Sequence, residues 1–277
     1  MLQIPSLPII RRLWTGKQLS FWEHLDVLRR VLIKVVAVAA VCGILAFIFK
    51  QTLFFVVLAP GRENFVTYDF LNDVVAWSGG NMERMAAQFI NTGLAQQFII
   101  HMRMACWVGL LGALPFALFQ MFCFISPALY AHERRYVVWI VCGGYVMFVW
   151  GVLVGYFLVF PLTFRFLSTY QVSEDVTNLI TLDSYVSTLM TMCMSMGVVF
   201  EIPVISWLLA KLRLLSACSM RRFRKHVMVV ILVAAAVITP TSDVFTLLLV
   251  SLPMWGVYEA SIWLVKCSGE SHAAGCK

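Results

Sequence analysis

The residues best suited to chemistry in this sequence are a few carboxylates that lie inside or beside long apolar segments. Glu201 interrupts one such segment and is followed by Pro203. An ionisable side chain within a membrane is costly and is a candidate for function by default. Pro203 lacks the backbone N–H of an α-helix and can kink it. Glu201 is therefore either a functional group or a protonated side chain that caps the backbone groups freed by the kink.

Glu133 lies in the segment SPALYAHERRY, a short polar turn between two apolar segments. One interpretation is a solvated ion pair with Arg134 or Arg135, but such a pair would contribute little to stability. The other is recognition of a guanidinium group, which binds a carboxylate through two hydrogen bonds and stays charged at every relevant pH. Phe124 and Tyr130 add aromatic rings beside the same turn.

A second group of charged residues precedes the first apolar segment. Glu23 and Asp26 are three residues apart and therefore share one face of a helix, with Arg29 and Arg30 following a turn later. An interfacial amphipathic helix with local ion pairs explains this pattern as well as a functional pair of carboxylates does.

Motifs for catalysis and for metal binding are absent from the sequence. The five histidines form no HExxH pair, and neither a GxSxG segment nor a glycine-rich phosphate-binding loop occurs. The eight cysteines show no CxxC spacing, and most lie in apolar segments, where thiols behave as small buried hydrophobic groups. We therefore predict a protein that is not an enzyme and that uses no metal or cofactor.

The composition indicates which solvent surrounds these carboxylates. Hydrophobic residues make up 61% of the 277 residues and charged residues only 13%, whereas soluble domains are about one quarter charged. The net charge is +7, but the basic residues flank the apolar segments, which is typical of membrane orientation rather than of nucleic-acid binding. The sequence predicts an all-α polytopic membrane protein that forms one domain over residues 1–277.

Six apolar segments are predicted to cross the bilayer, which requires about 20 residues of helix. The fifth has only 12 residues, or roughly 18 Å as a helix, against a hydrocarbon core of about 30 Å. The last two segments are either a short transmembrane hairpin, which would thin the bilayer locally, or a pair of core or re-entrant helices; we prefer the hairpin. The predicted spans are 31–49, 104–125, 137–160, 184–210, 227–238 and 244–265.

The distribution of lysine and arginine orients the predicted spans. With six spans both termini lie on one side, and 16 of the 21 Lys and Arg residues fall on or beside that side. Because positive residues are retained in the cytoplasm, we predict that this side is cytoplasmic. Its segments are an amphipathic segment at 1–30, the loops 126–136 and 211–226, and the tail 266–277, whereas 50–97 is a long periplasmic loop.

Five parts of the sequence, in order, resemble the TatC family of the twin-arginine protein translocase. They are FWEHLDVLRR, LPFALFQMFCFISPALYAHERR, YFLVFPLTFRFL, MGVVFEIPV, and ITPTSDVF with LPMWGVYE. The second is highly specific, and the five parts are distributed across nearly the whole chain. The resemblance implies six helices in a cupped bundle, with the last two short, in the bacterial inner membrane with both termini in the cytoplasm.

The resemblance also implies a function, which is the recognition of twin-arginine signal peptides on folded proteins and their export, powered by the proton-motive force. The implied partners are TatA-type single-span subunits, a TatB-type subunit as a further candidate, and other copies of this chain. The implied signal-peptide site consists of Glu133, Glu23, Asp26, Arg29 and Phe124. Val27 stands where the family commonly has a glutamate, so the second carboxylate is either Asp26 or Glu23.

Two further sets of residues follow from the resemblance. Glu201 matches the intramembrane glutamate of the family, and Gln120 is a second polar residue within a span. After Asp243 the family often has a Ser-Gln pair, where this chain has Thr246 and Leu247. The residues expected to contact a partner helix are Thr239, Asp243 and Glu259.

Two other functions are compatible with the sequence. A proton-coupled small-molecule transporter would use Glu201, but no internal repeat of the kind found in many transporters is visible. A structural scaffold for other membrane proteins would depend on none of the carboxylates individually. The receptor function is favoured because it explains the turn at Glu133 together with the family segments.

Overall fold

The computed structural model describes residues 21–77, 89–125, 137–170, 179–211, 214–239 and 243–269. Most of these residues are helical, because a chain in hydrocarbon must satisfy its backbone N–H and C=O groups internally. Two short strands, β1 (Phe89–Ile90) and β2 (Ile180–Thr181), pair in parallel. The helices are α1 (Phe21–Ile48), α2 (Lys50–Leu58), α3 (Val66–Trp77), α4 (Gln96–Ile125), α5 (Val137–Val154), α6 (Phe160–Thr169), α7 (Leu182–Phe200), α8 (Ile202–Lys211), α9 (Ala217–Arg222), α10 (Arg224–Ile238) and α11 (Val244–Gly269).

The long apolar helices confirm the predicted all-α polytopic fold. Within the described ranges, five helical segments are long and apolar enough to cross a membrane. The predicted fifth span corresponds to α10, which has 15 residues; it is about 22 Å long and shorter than a hydrocarbon core of about 30 Å. The count of six spans therefore stays a prediction. The five segments are Leu25–Ile48, Gln96–Met121, Val141–Thr169, Leu182–Lys211 and Val244–Cys267.

The third span is longer than predicted, because the helix continues past Pro161. One turn of π-helix, Gly155–Val159, joins α5 to α6. Pro161 has no N–H, so the carbonyl of Phe157, four residues earlier, loses the partner that a regular α-helix would supply. The hydroxyl of Thr67 in α3 donates a hydrogen bond to this carbonyl. The proline is thus accommodated without ending the helix.

Tyrosine hydroxyls bind backbone carbonyls at the end of α2 and in the segment that follows it. Burial raises the pKa of Tyr68 to about 12, so its hydroxyl keeps the proton that it donates. The bonds from Tyr156 and Tyr185 hold the end of α2 against the α5–α6 helix and α7, and the bond from Tyr68 joins α3 to the segment before it. The acceptors are the carbonyls of Val56 for Tyr156 (2.6 Å), Val57 for Tyr185 (3.1 Å) and Pro60 for Tyr68 (2.9 Å).

The segments that enter α4 and α7 are joined at the same end of the bundle. The guanidinium of Arg103 donates to the carboxylate of Asp183, with 2.8 Å between Nη1 and Oδ1. Just before these helices, Phe89 of β1 pairs with Ile180 of β2. Both contacts link residues far apart in sequence, so they fix the start of α4 to the start of α7.

The attachment of α1 to the rest of the bundle depends on glycine. None of the residues of its apolar segment Leu25–Ile48 is buried, and α1 packs chiefly against α4. A Cβ atom at Gly109 would lie 2.6 Å from the carbonyl oxygen of Ala39 and 2.7 Å from the Cα of Gly43. Small residues allow helices in a membrane to approach this closely and to gain van der Waals contacts.

We expect Gly109→Ala to destabilise the protein by about 1–3 kcal/mol, the usual cost of overpacking, because the added methyl group meets backbone atoms of α1. Thermal unfolding of the purified chain in detergent would show this as a lower midpoint. Gly143→Ala in α5 is the matched control, since a Cβ atom there meets nothing within 4 Å and alanine favours a helix over glycine. Equal midpoints for the two variants would contradict the close crossing.

Candidate functional site

Glu201 lies at the break between α7 and α8. Its N–H donates to the carbonyl of Val198, three residues earlier, at 3.1 Å. Pro203 accounts for this local tightening, since it cannot donate to the carbonyl of Val199 and so removes one bond of the regular α-helical pattern. The break lies where the sequence predicts a kink.

The carboxyl group of Glu201 lies against Gly144 of α5, where glycine has no side chain to fill the space. Glu201 is only 9% exposed. A Cβ atom at Gly144 of α5 would lie 3.2 Å from its Oε2, and the side chain of Leu118 in α4 is within 3.7 Å of the same point. The carboxyl therefore lies between three helices, against apolar atoms.

Oε1 of Glu201 is buried and, among the residues that the structure describes, has no hydrogen-bond partner. This oxygen therefore does not cap the backbone groups freed by Pro203, which was the structural alternative. An unpartnered buried oxygen costs about 1–3 kcal/mol, and such a cost is commonly retained at functional sites. The group is placed to accept a hydrogen bond or a proton from a partner.

The other predicted intramembrane residue, Gln120, is not part of this contact. It lies in α4 two residues after Leu118 and is partly buried, and no hydrogen bond joins it to Glu201. Gly144 was not singled out from the sequence, although a glycine in an uncharged span is a position where a polar side chain of another helix can fit. Across the described ranges, no group of three His, Cys, Asp or Glu side chains is arranged to hold a metal ion.

The antiparallel packing of α1 against α4 sets the level of the predicted signal-peptide residues. The ring of Phe47 stacks on His101 at 4.1 Å, and nearer the N-terminus Cys42 contacts the position of Gly112. Continued along both helices, this register places Asp26 level with the last turn of α4, which contains Phe124. The start of α1 and the end of α4 therefore lie at the same end of the bundle.

Within the predicted signal-peptide site, the described part of the chain covers the start of α1 but not the loop that follows α4. Glu23, Asp26 and Arg29 all lie in the first turns of α1. Asp26 and Arg29 are exposed, and no ion pair joins them. Glu133 lies outside the described residues.

Asp243 and Thr239 satisfy polar groups inside the chain. Thr239 is buried at the end of α10, and its hydroxyl donates to the carbonyl of Ala235 at 3.0 Å. Asp243 precedes α11 and accepts from the backbone N–H of Thr246 at 2.8 Å and from its hydroxyl at 2.7 Å. This arrangement is an N-terminal helix cap, and the Asp-x-x-Thr spacing in the sequence could have predicted it.

Glu259 also has a partner within the chain. It accepts a hydrogen bond from Arg224, with 2.5 Å between Nη2 and Oε2. One residue earlier, the hydroxyl of Tyr258 donates to the carbonyl of Met220 at 2.8 Å. Together these bonds attach α9 and the start of α10 to α11, so a partner helix at Glu259 would have to share or replace Arg224.

Comparison with known families identifies the arrangement. The family model described as Sec-independent protein translocase protein (TatC) matches residues 23–253. The protein of that name from Deinococcus radiodurans is 33% identical over 243 residues, which are 88% of this chain and 84% of the relative. The one from Koribacter versatilis is 32% identical over 252 residues, or 89% and 84% of the two chains.

A solved structure is also similar to this chain. The crystal structure of the twin-arginine translocase receptor TatC is 28% identical in sequence and superposes with a TM-score of 0.71. The match covers 88% of this chain and 99% of that structure.

We expect Glu201→Leu to raise the thermal unfolding midpoint in detergent, because it removes a buried oxygen that lacks a partner, a gain of about 1–3 kcal/mol. Glu259→Leu is the matched control. Its carboxylate is paired, so the same change leaves Arg224 without its partner and should not stabilise the protein. A midpoint for Glu201→Leu below that of the native chain would mean that the carboxyl makes a stabilising contact.

Proposed function

This chain belongs to the TatC family, the Sec-independent protein translocase proteins, and on that premise we propose that it binds the twin-arginine signal peptides of folded proteins. The observation that carries the proposal is the extent of the family match, residues 23–253. This range includes Asp26 and Glu133, the carboxylates suited to bind a pair of arginines. The protein is thus a subunit of a protein translocase, and we propose no catalytic role for it.

The physical basis of the proposal is the pairing of guanidinium groups with carboxylates at the membrane surface. Two adjacent arginines carry two permanent positive charges, each able to form two parallel hydrogen bonds with one carboxylate. The register of α1 against α4 supports a shared site, since it puts Asp26 level with the last turn of α4. Glu133 lies eight residues in sequence after the end of α4, and Glu23, Arg29 and Phe124 complete the proposed site.

We further propose that the protein works with TatA-type single-span subunits, with a TatB-type subunit as a further candidate, and with other copies of itself. The proposed contact residues are Thr239, Asp243 and Glu259, at the ends of α10 and α11. Glu201 and Gln120 are the proposed polar residues within the membrane. Export would use the proton-motive force, since the membrane potential supplies about 2.3 kcal/mol per charge per 100 mV.

The proposed location is the bacterial inner membrane, with both termini in the cytoplasm. The excess of lysine and arginine on that side supports this orientation. It places the proposed signal-peptide site on the side where folded proteins are made, as the function requires.

We expect Glu133→Gln to weaken binding of a twin-arginine signal peptide by about 10- to 100-fold, because hydrogen bonds to a charged partner contribute about 1.5–3 kcal/mol. Photo-crosslinking of the peptide to the full chain in membranes would measure the loss. The variant should still insert, since the residue lies in a segment that the sequence predicts to be a cytoplasmic loop.

Glu63→Gln is the matched control for this measurement. Glu63 is an exposed carboxylate in the segment predicted to be periplasmic, so its loss should leave peptide crosslinking unchanged. Undiminished crosslinking to the Glu133 variant would refute the proposed site.

Cysteine labelling tests the orientation. In a chain whose own cysteines are replaced, Leu94→Cys lies before α4 and Leu214→Cys between α8 and α9, and both positions are exposed. We expect an impermeant maleimide to label position 94 in intact spheroplasts and position 214 only after the membrane is opened. The reverse pattern would place the proposed site outside the cell and contradict the function.

A further inference from the structure

The junction of α9 and α10 carries a dense group of exposed cations. Arg221 and Arg222 form the last turn of α9, and Lys225 lies in the first turn of α10. All three are exposed, and none forms an ion pair within the described part of the chain. Only Phe223 separates the two helices, so these three cations lie within five residues of one another. We call them the junction cations.

The adjacent Arg224 differs from the junction cations because it forms an ion pair within the chain. It is paired with Glu259, and the hydroxyl of Tyr258 binds the carbonyl of Met220. These two bonds attach the α9–α10 junction to α11. The charge of the junction cations is not neutralised there, since Glu259 is already engaged.

An exposed apolar surface begins where the junction cations end. Phe223 is 51% exposed, and α10 then presents a run of exposed apolar side chains along its length. The surface therefore combines positive charge at one end with hydrocarbon along the remainder. Its exposed apolar residues include Met228, Val229, Val230, Val233 and Val237.

The length of α10 determines where the junction cations lie relative to the bilayer. The helix is about 22 Å long, roughly 8 Å shorter than a typical hydrocarbon core. A short span is accommodated by thinning of the bilayer or by flanking cations that reach toward the interface. Either response brings lipid phosphates and the junction cations to the same depth.

From this combination we propose that the α9–α10 junction is a binding site for an anionic phospholipid. The junction cations bind the headgroup phosphate, and the acyl chains lie along the exposed side of α10. A soluble anion would use only the charged part of this surface, and an apolar partner helix would use only the other part. A phospholipid with a net negative charge matches both, and its binding stabilises the short helix in the thinned bilayer.

Native mass spectrometry of the full chain in detergent tests this site with phosphatidylglycerol and phosphatidylcholine of the same acyl chains. Phosphatidylglycerol should bind more tightly, and raised salt should weaken it. Arg221→Gln with Arg222→Gln should weaken it by about 25-fold, from about fivefold per cation. Arg221→Lys with Arg222→Lys should retain most of the affinity, which separates loss of charge from loss of folding.

The matched control is Lys50→Gln with Arg62→Gln, two exposed cations at the opposite end of the bundle, which should leave the affinity unchanged. Equal affinity for the two lipids, an equal loss in the control, or displacement of the lipid by millimolar inorganic phosphate would each overturn the site. A polypeptide held at this junction instead of lipid would overturn it as well. The measurement does not involve a signal peptide, so its outcome is independent of the proposed function.

Discussion

In the hydrocarbon of a bilayer no water is available to bond a free N–H or C=O, and every break in a helix must be compensated within the protein. Two prolines show how this chain meets that constraint. At Pro161 the helix widens by one π-turn, and Thr67 of α3 donates to the carbonyl of Phe157. At Pro203 the helix tightens, and the N–H of Glu201 bonds a carbonyl three residues earlier. The first response attaches α3 to the bundle, and the second places an intramembrane glutamate, Glu201, at a break.

The sequence predicted the features of the fold that depend on composition and length. Long apolar runs specify helices in a membrane, and these are present with shifts at their ends. The continuation past Pro161 could not be predicted, because it requires Thr67, more than ninety residues away in sequence, to satisfy a carbonyl. The short β1–β2 pair was missed for a similar reason, since two-residue strands leave no periodic pattern and form only when distant segments meet.

The candidate site was predictable in its residue types and less so in its contacts. An acidic residue in an apolar segment identifies Glu201 by itself, but its neighbour Gly144 contributes only the absence of a side chain. That Asp243 contacts a partner helix stays a prediction, and the structure adds that it caps α11 through Thr246. Glu259 likewise has Arg224 as a partner inside the chain. These intramolecular contacts depend on helix packing, which residue types alone do not reveal.

The ion pair between Arg103 and Asp183, together with the β1–β2 pair, has a mechanical consequence for the bundle. These two contacts join the start of α4 to the start of α7. Any change in the angle between the two helices is therefore a rotation about this end. From Arg103 to its end at Ile125, α4 is about 33 Å long, so a tilt of about 5° about the ion pair moves that end by about 3 Å. A change of this angle therefore separates the two helices mainly at the opposite end of the bundle, where α1 begins and α4 ends.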